Sequence, residues 1–475
     1  MAYKIGDRMQ PIFLPSTIDD YVGADDPVRV YDAFVDALDF KILGIALEPQ
    51  PGADEYYPKD LLKLIIYAYS YGIRSSRKIE RACYHNLSFQ WLMGGQKPDY
   101  RTIARFRSEY KEQIKKILKQ CVQICLDLDL IEGNVLFTDG SKFRANASIN
   151  NTWTKEKCEK SLKKINEQID QLIDECEKID AQEERASLTK LHTKITNKQK
   201  LVIKIQNNLQ ALNESEKASF NSTDPDSVKA KGRQGTHASY SVQISVDNKH
   251  ALIVSAEAKS ANNDRGELKN QVTQSSENLG QKPKTVCADC GYSSVEDTVQ
   301  IDDDIQVIVP SQKQVQKERG QTPGPFDKEQ FSYDQAKDEY LCPEDKILRY
   351  KSFQKERQAK VYQANGQDCQ SCQHFGVCTT SPNGRIVKRL IHEEHQKHLE
   401  KIYQSPQGQE IYQLRKEKVE HPFGHFKRNL SAGQFMLRGK PKVDAEVSIL
   451  STCFNIARMI TILGIPKLIL GLNSA

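Results

Sequence analysis

Val135-Leu136-Phe137-Thr138-Asp139-Gly140 is where the chain changes texture. An apolar triplet runs into Thr-Asp-Gly, which reads as a short strand ending in a turn. Before it, apolar spacing is helical: Leu61, Leu62, Ile65, Ile66 and Tyr69 form one stripe, with Pro58 suited to the first turn and Gly72 to the stop. A second helix follows, capped by Ser75 or Ser76 and carrying Arg77, Lys78 and Arg81. A third starts at Pro98-Asp99 and runs through Arg101, Arg105 and Arg107 to Leu130. Short helices, tight glycine-containing turns and clustered arginines suit a helix-turn-helix-like DNA reader. An ordinary helical bundle with a solvated basic face fits the same pattern equally well.

After it, residues 153–217 are highly charged and helical, with apolar positions Leu162, Ile165, Ile169, Leu172, Ile173 and Cys176. A break near Ala181–Glu184 leads to Leu188, Leu191, Ile195, Leu201, Ile205, Leu209 and Leu212. The 3–4 spacing predicts an antiparallel helical hairpin inserted into the core. Strand signals then resume. Tyr240, Val242, Ile244 and Val246 alternate with polar residues as in a half-buried strand, Asn248-Lys249 turns, and Ala251–Ala256 returns. Thr285–Ala288 and Ile305–Val309 are further strands, so the chain reads as mixed α/β.

A chain of 475 residues exceeds one compact domain, and 38% hydrophobic with 28% charged residues allows a packed core. Its net charge of +5 says little, but the distribution says more: residues 1–50 hold 4 basic and 9 acidic groups, and residues 51–120 hold 14 and 7. A local basic region is where a nucleic-acid footprint would show. Met1 to Pro15 lacks the apolar core of a signal peptide. The apolar stretch Val447 to Leu472 carries Asn455, Arg458 and Lys467. An Arg at mid-span costs roughly 2.5–3.5 kcal/mol on insertion scales, which favours a buried helix over a membrane span. Twelve cysteines without an export signal point to a reducing cytoplasm.

Three acidic residues are candidates for chemistry. Asp139 and Asp289 each follow a short apolar run and precede a glycine-containing turn; capping a turn or helix is the alternative role for either. Glu420 lies in Ile411–Arg428, where on a helix it shares a face with Phe423, Gly424 and Lys427. Pro422 in that segment predicts a kink or a helix start. Residues 411–442 hold 8 basic and 2 acidic groups. Carboxylates gathered beside cations are what two-metal phosphoryl transfer requires, because hard divalent ions select oxygen ligands.

Thr138-Asp139-Gly140-Ser141-Lys142-Phe143-Arg144-Ala145-Asn146-Ala147 resembles the first-aspartate segment of bacterial insertion-sequence transposases of the DDE type. Ala288-Asp289-Cys290-Gly291-Tyr292-Ser293-Ser294 is similar to their second-aspartate segment. Val419-Glu420-His421-Pro422-Phe423-Gly424-His425-Phe426-Lys427 resembles the glutamate signature, followed by Leu437-Arg438-Gly439 and an Asn455-containing helix. Pro98–Arg107 resembles part of that family's helical N-terminal domain. The resemblance implies a ribonuclease H-like mixed-sheet core. In it Asp139, Asp289 and Glu420 hold two Mg²⁺ or Mn²⁺ ions, water frees a 3′-hydroxyl at the element end, and that hydroxyl attacks target DNA. A related Tyr-Arg-Glu-Lys signature implies Tyr412, Arg415 and Lys427 as contacts to DNA. Four residues rather than three separate Arg415 from Glu420, so strict spacing would put Lys416 in the place of Arg415. Arg101, Arg105, Arg107 and Arg438 complete the candidate DNA contacts.

Cys342, Cys369, Cys372 and Cys378 are candidate ligands of a structural Zn²⁺, with His374 as a competing fourth ligand and unliganded thiols as the alternative. Cys287 and Cys290 read as packing residues. The expected organisation is a helical DNA-binding domain at 1–130, a catalytic core split over 131–152, 218–315 and 401–475, a helical-hairpin insertion at 153–217, and a cysteine-bearing insertion at 316–400. Expected partners are double-stranded DNA, as terminal inverted repeats and as target, and a second copy of the chain on DNA; no membrane is expected, and the site of action is the bacterial nucleoid. A catalytically silent DNA-binding descendant and a non-mobile metal-dependent nuclease are the competing readings.

Overall fold

The computed structural model describes residues 17–48, 55–180, 185–214, 219–232, 235–320, 324–355 and 358–474. The readings of Met1–Pro15 and of a break at Ala181–Glu184 lie outside the described residues. The chain divides into two units: Met1–Asn263 with Gln274–Lys282 and Glu417–Ala475, and Asp264–Thr273 with Pro283–Lys416.

Among the described residues the first unit opens with eight α-helices: α1 (Val28–Asp36), α2 (Phe40–Leu43), α3 (Pro58–Ser70), α4 (Ser76–His85), α5 (Leu87–Leu92), α6 (Tyr100–Glu109), α7 (Lys111–Lys115) and α8 (Ile117–Asp127). Pro58 occupies the first turn of α3, where its missing N–H costs nothing, and the stripe Leu61, Leu62, Ile65, Ile66 and Tyr69 is buried. Asp99 caps α6 by accepting from Thr102 N at 2.6 Å. The expected single helix to Leu130 is three pieces, α6 to α8. At the α7–α8 break, Ser448 Oγ reaches the carbonyls of Ile114 and Lys115, both at 3.1 Å, and lies 3.3 Å from Leu118 N. The hydroxyl thus serves backbone groups that the break leaves without helical partners.

Strand β1 (Val135–Arg144) continues through Asp139 rather than turning there. After β2 (Thr152–Trp153) come α9 (Lys155–Asp180) and α10 (Arg185–Glu214), closed at the base by β3 (Phe220–Asn221), which pairs antiparallel with β2. The hairpin core is Cys158, Ile165, Ile205 and Leu212, whereas Ile173 and Leu201, also on the predicted stripes, are exposed. β4 (Val228–Gly232), β5 (Gly235–Asp247) and β6 (Ile253–Lys259) complete this unit's sheet, with β5 antiparallel to β1, β4 and β6. β5 is not half-buried as its alternation predicts: Ser241, Gln243 and Ser245 are also buried. Polar partners make this tolerable, as Ser245 Oγ meets Thr138 Oγ1 at 2.8 Å and Gln243 Nε2 donates to Ser241 Oγ at 3.1 Å. Helix α11 (Leu268–Leu279) contributes residues to both units.

In the second unit β7 (Thr285–Ala288) runs parallel to β8 (Gln306–Ile308), with α12 (Val295–Thr298) between them in sequence. Asp297 Oδ2 accepts from Leu268 N at 2.9 Å and so caps the start of α11. α13 (Gln312–Glu318) opens on a reciprocal Ser311–Gln314 capping box. β9 (Ser332–Asp334), β10 (Glu339–Leu341), β11 (Ile347–Gln354), β12 (Ala359–Ala364) and β13 (Ile386–Leu390) form an antiparallel sheet in order β13-β12-β11-β10-β9, with α14 (Gly366–Gln370) before β13. α15 (Glu393–Gln404) follows, and α16 (Pro406–Arg428) again contributes to both units.

The chain ends in the first unit with α17 (Lys440–Leu463) and α18 (Ile465–Leu472), separated by Gly464 at φ +75°. α17 is long and apolar enough to cross a membrane, yet it is packed as a core helix with Val443 through Ile456 buried. Its Asn455 accepts from Ile253 N and donates to Ile253 O, both at 2.8 Å, holding the start of β6.

Candidate active site

β1 carries Asp139 at mid-strand, opposite Ile244 of β5. Side chains alternate along a strand, so Phe137, Asp139, Ser141 and Phe143 share a face. The C-terminal half of α16 lies along it. Phe423 and Phe426 stand 6.2 and 6.3 Å from the Phe143 ring, and Lys427 Nζ donates to Ser141 Oγ at 2.5 Å while lying 4.8 Å over Phe143. At the other end Lys418 Nζ donates to Asn248 O at 2.7 Å, and Asn248 N bonds Val135 O at 3.0 Å. This segment therefore follows β1 in the same direction, and Asp139 falls between its two anchors. Glu420 sits two turns before Lys427 on the same helix face. Asp139 is half-buried and Glu420 exposed. Pro422 is buried and lies within α16, so the helix does not start there, one of the two outcomes expected of this proline.

In the second unit Asp289 follows β7 directly and caps the turn Cys290–Tyr292, its Oδ1 accepting from Gly291 N at 2.8 Å. A Cβ on Gly291 would stand 2.9 Å from that oxygen and 3.5 Å from Asp264 Oδ2, so the carboxyl groups of Asp264 and Asp289 lie close together at this turn. The sequence reading missed Asp264, which lacks the apolar lead-in of the other two aspartates. Tyr412 and Arg415 face the same place. Burial raises the Tyr412 phenol above its usual range, Arg415 draws it down, and the charge of Asp289 pushes it up. The Arg415 guanidinium lies 5.6 Å from the Tyr412 ring, and Tyr412 packs edge-on against Tyr403 at 4.9 Å. Arg415 is half-buried here and Lys416 is exposed. Burial pushes the Cys287 thiol up to about 12. That suits packing, not nucleophilic chemistry.

The basic residues of the helical region divide by burial. Arg77, Lys78, Arg81, Arg101 and Arg105 are exposed on α4 and α6, and the Tyr100 ring has Arg77 at 4.9 Å and Arg101 at 5.8 Å. Arg107 does not join them. It is buried, with Nη1 donating to Tyr69 Oη at 2.9 Å and to Arg74 O at 2.8 Å, and Nη2 to Ser76 Oγ. Its position one turn after Ile103 and beside Phe106 was the available sign that it faces inward. Arg438 is exposed and its Nε donates to Asn146 O at 2.8 Å, just beyond the end of β1.

The sequence reading also missed a buried pair that shapes the segment after α16. Arg74 Nη1 meets Glu446 Oε1 at 2.8 Å, and its Nη2 donates to Ser431 O at 2.5 Å and Gln434 O at 2.7 Å. Glu446 also accepts from Met436 N and Leu437 N, each at 3.0 Å. Among the described residues no group of three or more His, Cys, Asp or Glu side chains stands in metal-binding geometry.

Residues 16–109 match the family described as Transposase domain (DUF772), and residues 341–460 match Transposase DDE domain. The second match includes Glu420 and Lys427, whereas Asp139 and Asp289 lie outside both. No curated protein and no solved structure matches the chain. A DDE domain implies a ribonuclease H-like core, in keeping with the mixed α/β architecture. With a transposase N-terminal domain and a transposase DDE domain in that order on one chain, the protein belongs to the insertion-sequence transposases of the DDE type.

Proposed function

We propose that this transposase cuts DNA at the ends of its element and joins the freed ends to target DNA, with Asp139, Asp289 and Glu420 acting together in catalysis. The observation that carries the reading is the course of α16 along β1, which brings Lys427 to the strand beside Asp139 and puts Glu420 on the Lys427 face. The donor set fits a divalent cation of the Mg²⁺ or Mn²⁺ kind: all three side chains offer oxygen, and Asp289 has a second oxygen beyond the one that caps its turn. Two such ions, when bound, supply Lewis-acid stabilisation of the attacking and leaving oxygens.

The protein's own cations do the rest. Lys427, held at Ser141, and Arg415, beside Asp289, are donors for phosphate oxygens, and a charge-assisted bond there fixes the scissile strand. Tyr412 supports Arg415 through its ring. The exposed arginines of α4 and α6, with Arg438 near the end of β1, serve as phosphate contacts that position the duplex. Joining two element ends calls for two copies of the chain on DNA.

The test is cleavage of labelled duplexes made from the DNA flanking the gene, with purified protein and Mg²⁺ or Mn²⁺. The reading predicts a nick at a discrete position inside an inverted repeat, followed by joined products. Binding without any nick, under all metal conditions, would instead identify a silent DNA-binding descendant; nicking without joining would identify a nuclease.

A further inference from the structure

We propose that Cys342, Cys369, Cys372 and Cys378 form a structural zinc site in the second unit. The four thiols come from two separate stretches, the turn between β10 and β11 and the loop from α14 to β13, yet all four line one cavity of about 30 Å³. That is room for a single ion, and its other walls include Phe326, Phe331 and Leu348. Four thiolates saturate a tetrahedral Zn²⁺.

The backbone is arranged for thiolates. Lys346 N donates to Cys342 Sγ at 3.3 Å, and Arg385 N donates to Cys369 Sγ at 3.4 Å. A thiol sulfur is a weak acceptor, and N–H groups aimed at two different sulfurs are the outer-shell bonds that hold ligating thiolates. The first turn is tight: Asp345 takes φ +57°, Asp345 N bonds Cys342 O at 2.9 Å, and Cys342 N bonds Lys346 O at 2.9 Å. His374 lines the same cavity with its Nε2 3.1 Å from Glu344 Oε1, but four thiolates already fill a tetrahedral site, so it is not required as a ligand.

The fold also has a use for the metal. The buried core of the β9–β13 sheet is Phe331, Tyr340, Leu348, Tyr362, Ala364 and Val387, with Cys342, Cys369 and Cys378 packed against it. So small a core is of the kind that a metal or disulfides usually staple, and all four cysteines are free thiols. As placed, the four side chains are not in ligating geometry. Closing to the ~2.3 Å zinc–sulfur distance requires movement of half-buried side chains around a cavity they already share.

Metal content of the purified full-length chain, measured by atomic emission, tests this. About one equivalent of zinc per chain is expected, lost in Cys372→Ser and in Cys378→Ser and kept in His374→Ala and in the control Cys176→Ser. Zinc retained in the two serine variants, or lost in His374→Ala, would overturn the four-cysteine assignment. Should the serine variants fail to fold, the native chain is titrated with a mercurial in the presence of a zinc indicator. Stoichiometric zinc release supports the site; a folded chain with no zinc, whose cysteines in this cluster react freely with a thiol reagent, refutes it.

Discussion

Lys427 donates its Nζ to Ser141 Oγ at 2.5 Å, two residues along β1 from Asp139. The bond ties the end of α16 to the strand that presents the first aspartate, and it leaves a cation at the edge of the proposed site. Because Lys427 is exposed, its loss should leave the fold intact. Lys427→Ala is expected to slow strand cleavage about 10²-fold or more, the scale seen when one preorganised donor to a developing charge is removed. Ser141→Ala should cost much less. Single-turnover cleavage, with thermal melts of each variant, distinguishes lost chemistry from lost stability.

The arginines of α6 should separate cleanly. Arg101→Ala and Arg105→Ala, both at exposed positions, are expected to leave stability within about 0.5 kcal/mol of the parent. They should weaken binding to all duplexes, with the slope of the salt dependence falling by about 0.9 for each phosphate no longer neutralised. Arg107→Ala should destabilise the chain, by roughly 1–3 kcal/mol for each buried partner left unpaired, among them Tyr69 Oη and Arg74 O. Denaturant unfolding and binding titrations at two salt concentrations check both halves.

Glu446 and Arg74 make a second stability prediction, this time with a pH dependence. Burial pushes the Glu446 carboxyl above its usual 4.5, and Arg74 opposes that rise. Removing the guanidinium in Arg74→Met takes away the largest influence that opposes burial and leaves the Met436 and Leu437 amides and Arg107 to hold the carboxylate, at a cost of about 3–5 kcal/mol near neutral pH. A carboxyl whose folded pKa is raised binds more protons folded than unfolded, so its contribution to stability declines as pH rises above 4.5. The deficit of Arg74→Met should therefore shrink on acidification toward that value, as read from unfolding midpoints across pH.

Asp338 has the opposite sign. Hydrogen bonds from Tyr333, Tyr362 and Lys360 hold its carboxyl down to about 2 from an ordinary 3.8. The stabilisation is present above 3.8 and is lost as pH falls toward 2. The gap in melting temperature between the native chain and Asp338→Asn should narrow through that window. A gap that stays constant would mean that the charge of Asp338 is not what ties the β9–β10 turn to Tyr333 of β9 and to Lys360 and Tyr362 of β12.

Much of this fold could be read from periodicity, because helical stripes and strand runs report burial directly. The α3 stripe from Leu61 to Tyr69, the inserted hairpin and the strand before Asp289 are examples. The failures have a common cause: a residue's surroundings are set by partners distant in sequence. Ser241, Gln243 and Ser245 look like an exposed strand face but are buried because β5 is central and their polar atoms are satisfied. Arg107 looks like a surface cation until Tyr69 and Arg74 are placed around it. Glu446 carries no local signal at all, since its partner Arg74 lies at the other end of the chain. Within the candidate site, the short motifs picked out Asp139, Asp289 and Glu420. Spacing alone left Arg415 and Lys416 in competition, and Arg415 is the one beside Tyr412 and Asp289. Asp264 became visible only through its approach to Gly291.

The most direct measurement compares Asp139→Asn, Asp289→Asn and Glu420→Gln with the native protein on a duplex carrying the element end. For each protein, binding affinity and metal-dependent cleavage are measured in parallel. Unchanged melting, near-native DNA affinity and loss of cleavage are expected in all three variants. Near-native, metal-dependent cleavage by any one of them would remove that residue from the catalytic set and contradict catalysis by these three carboxylates acting together.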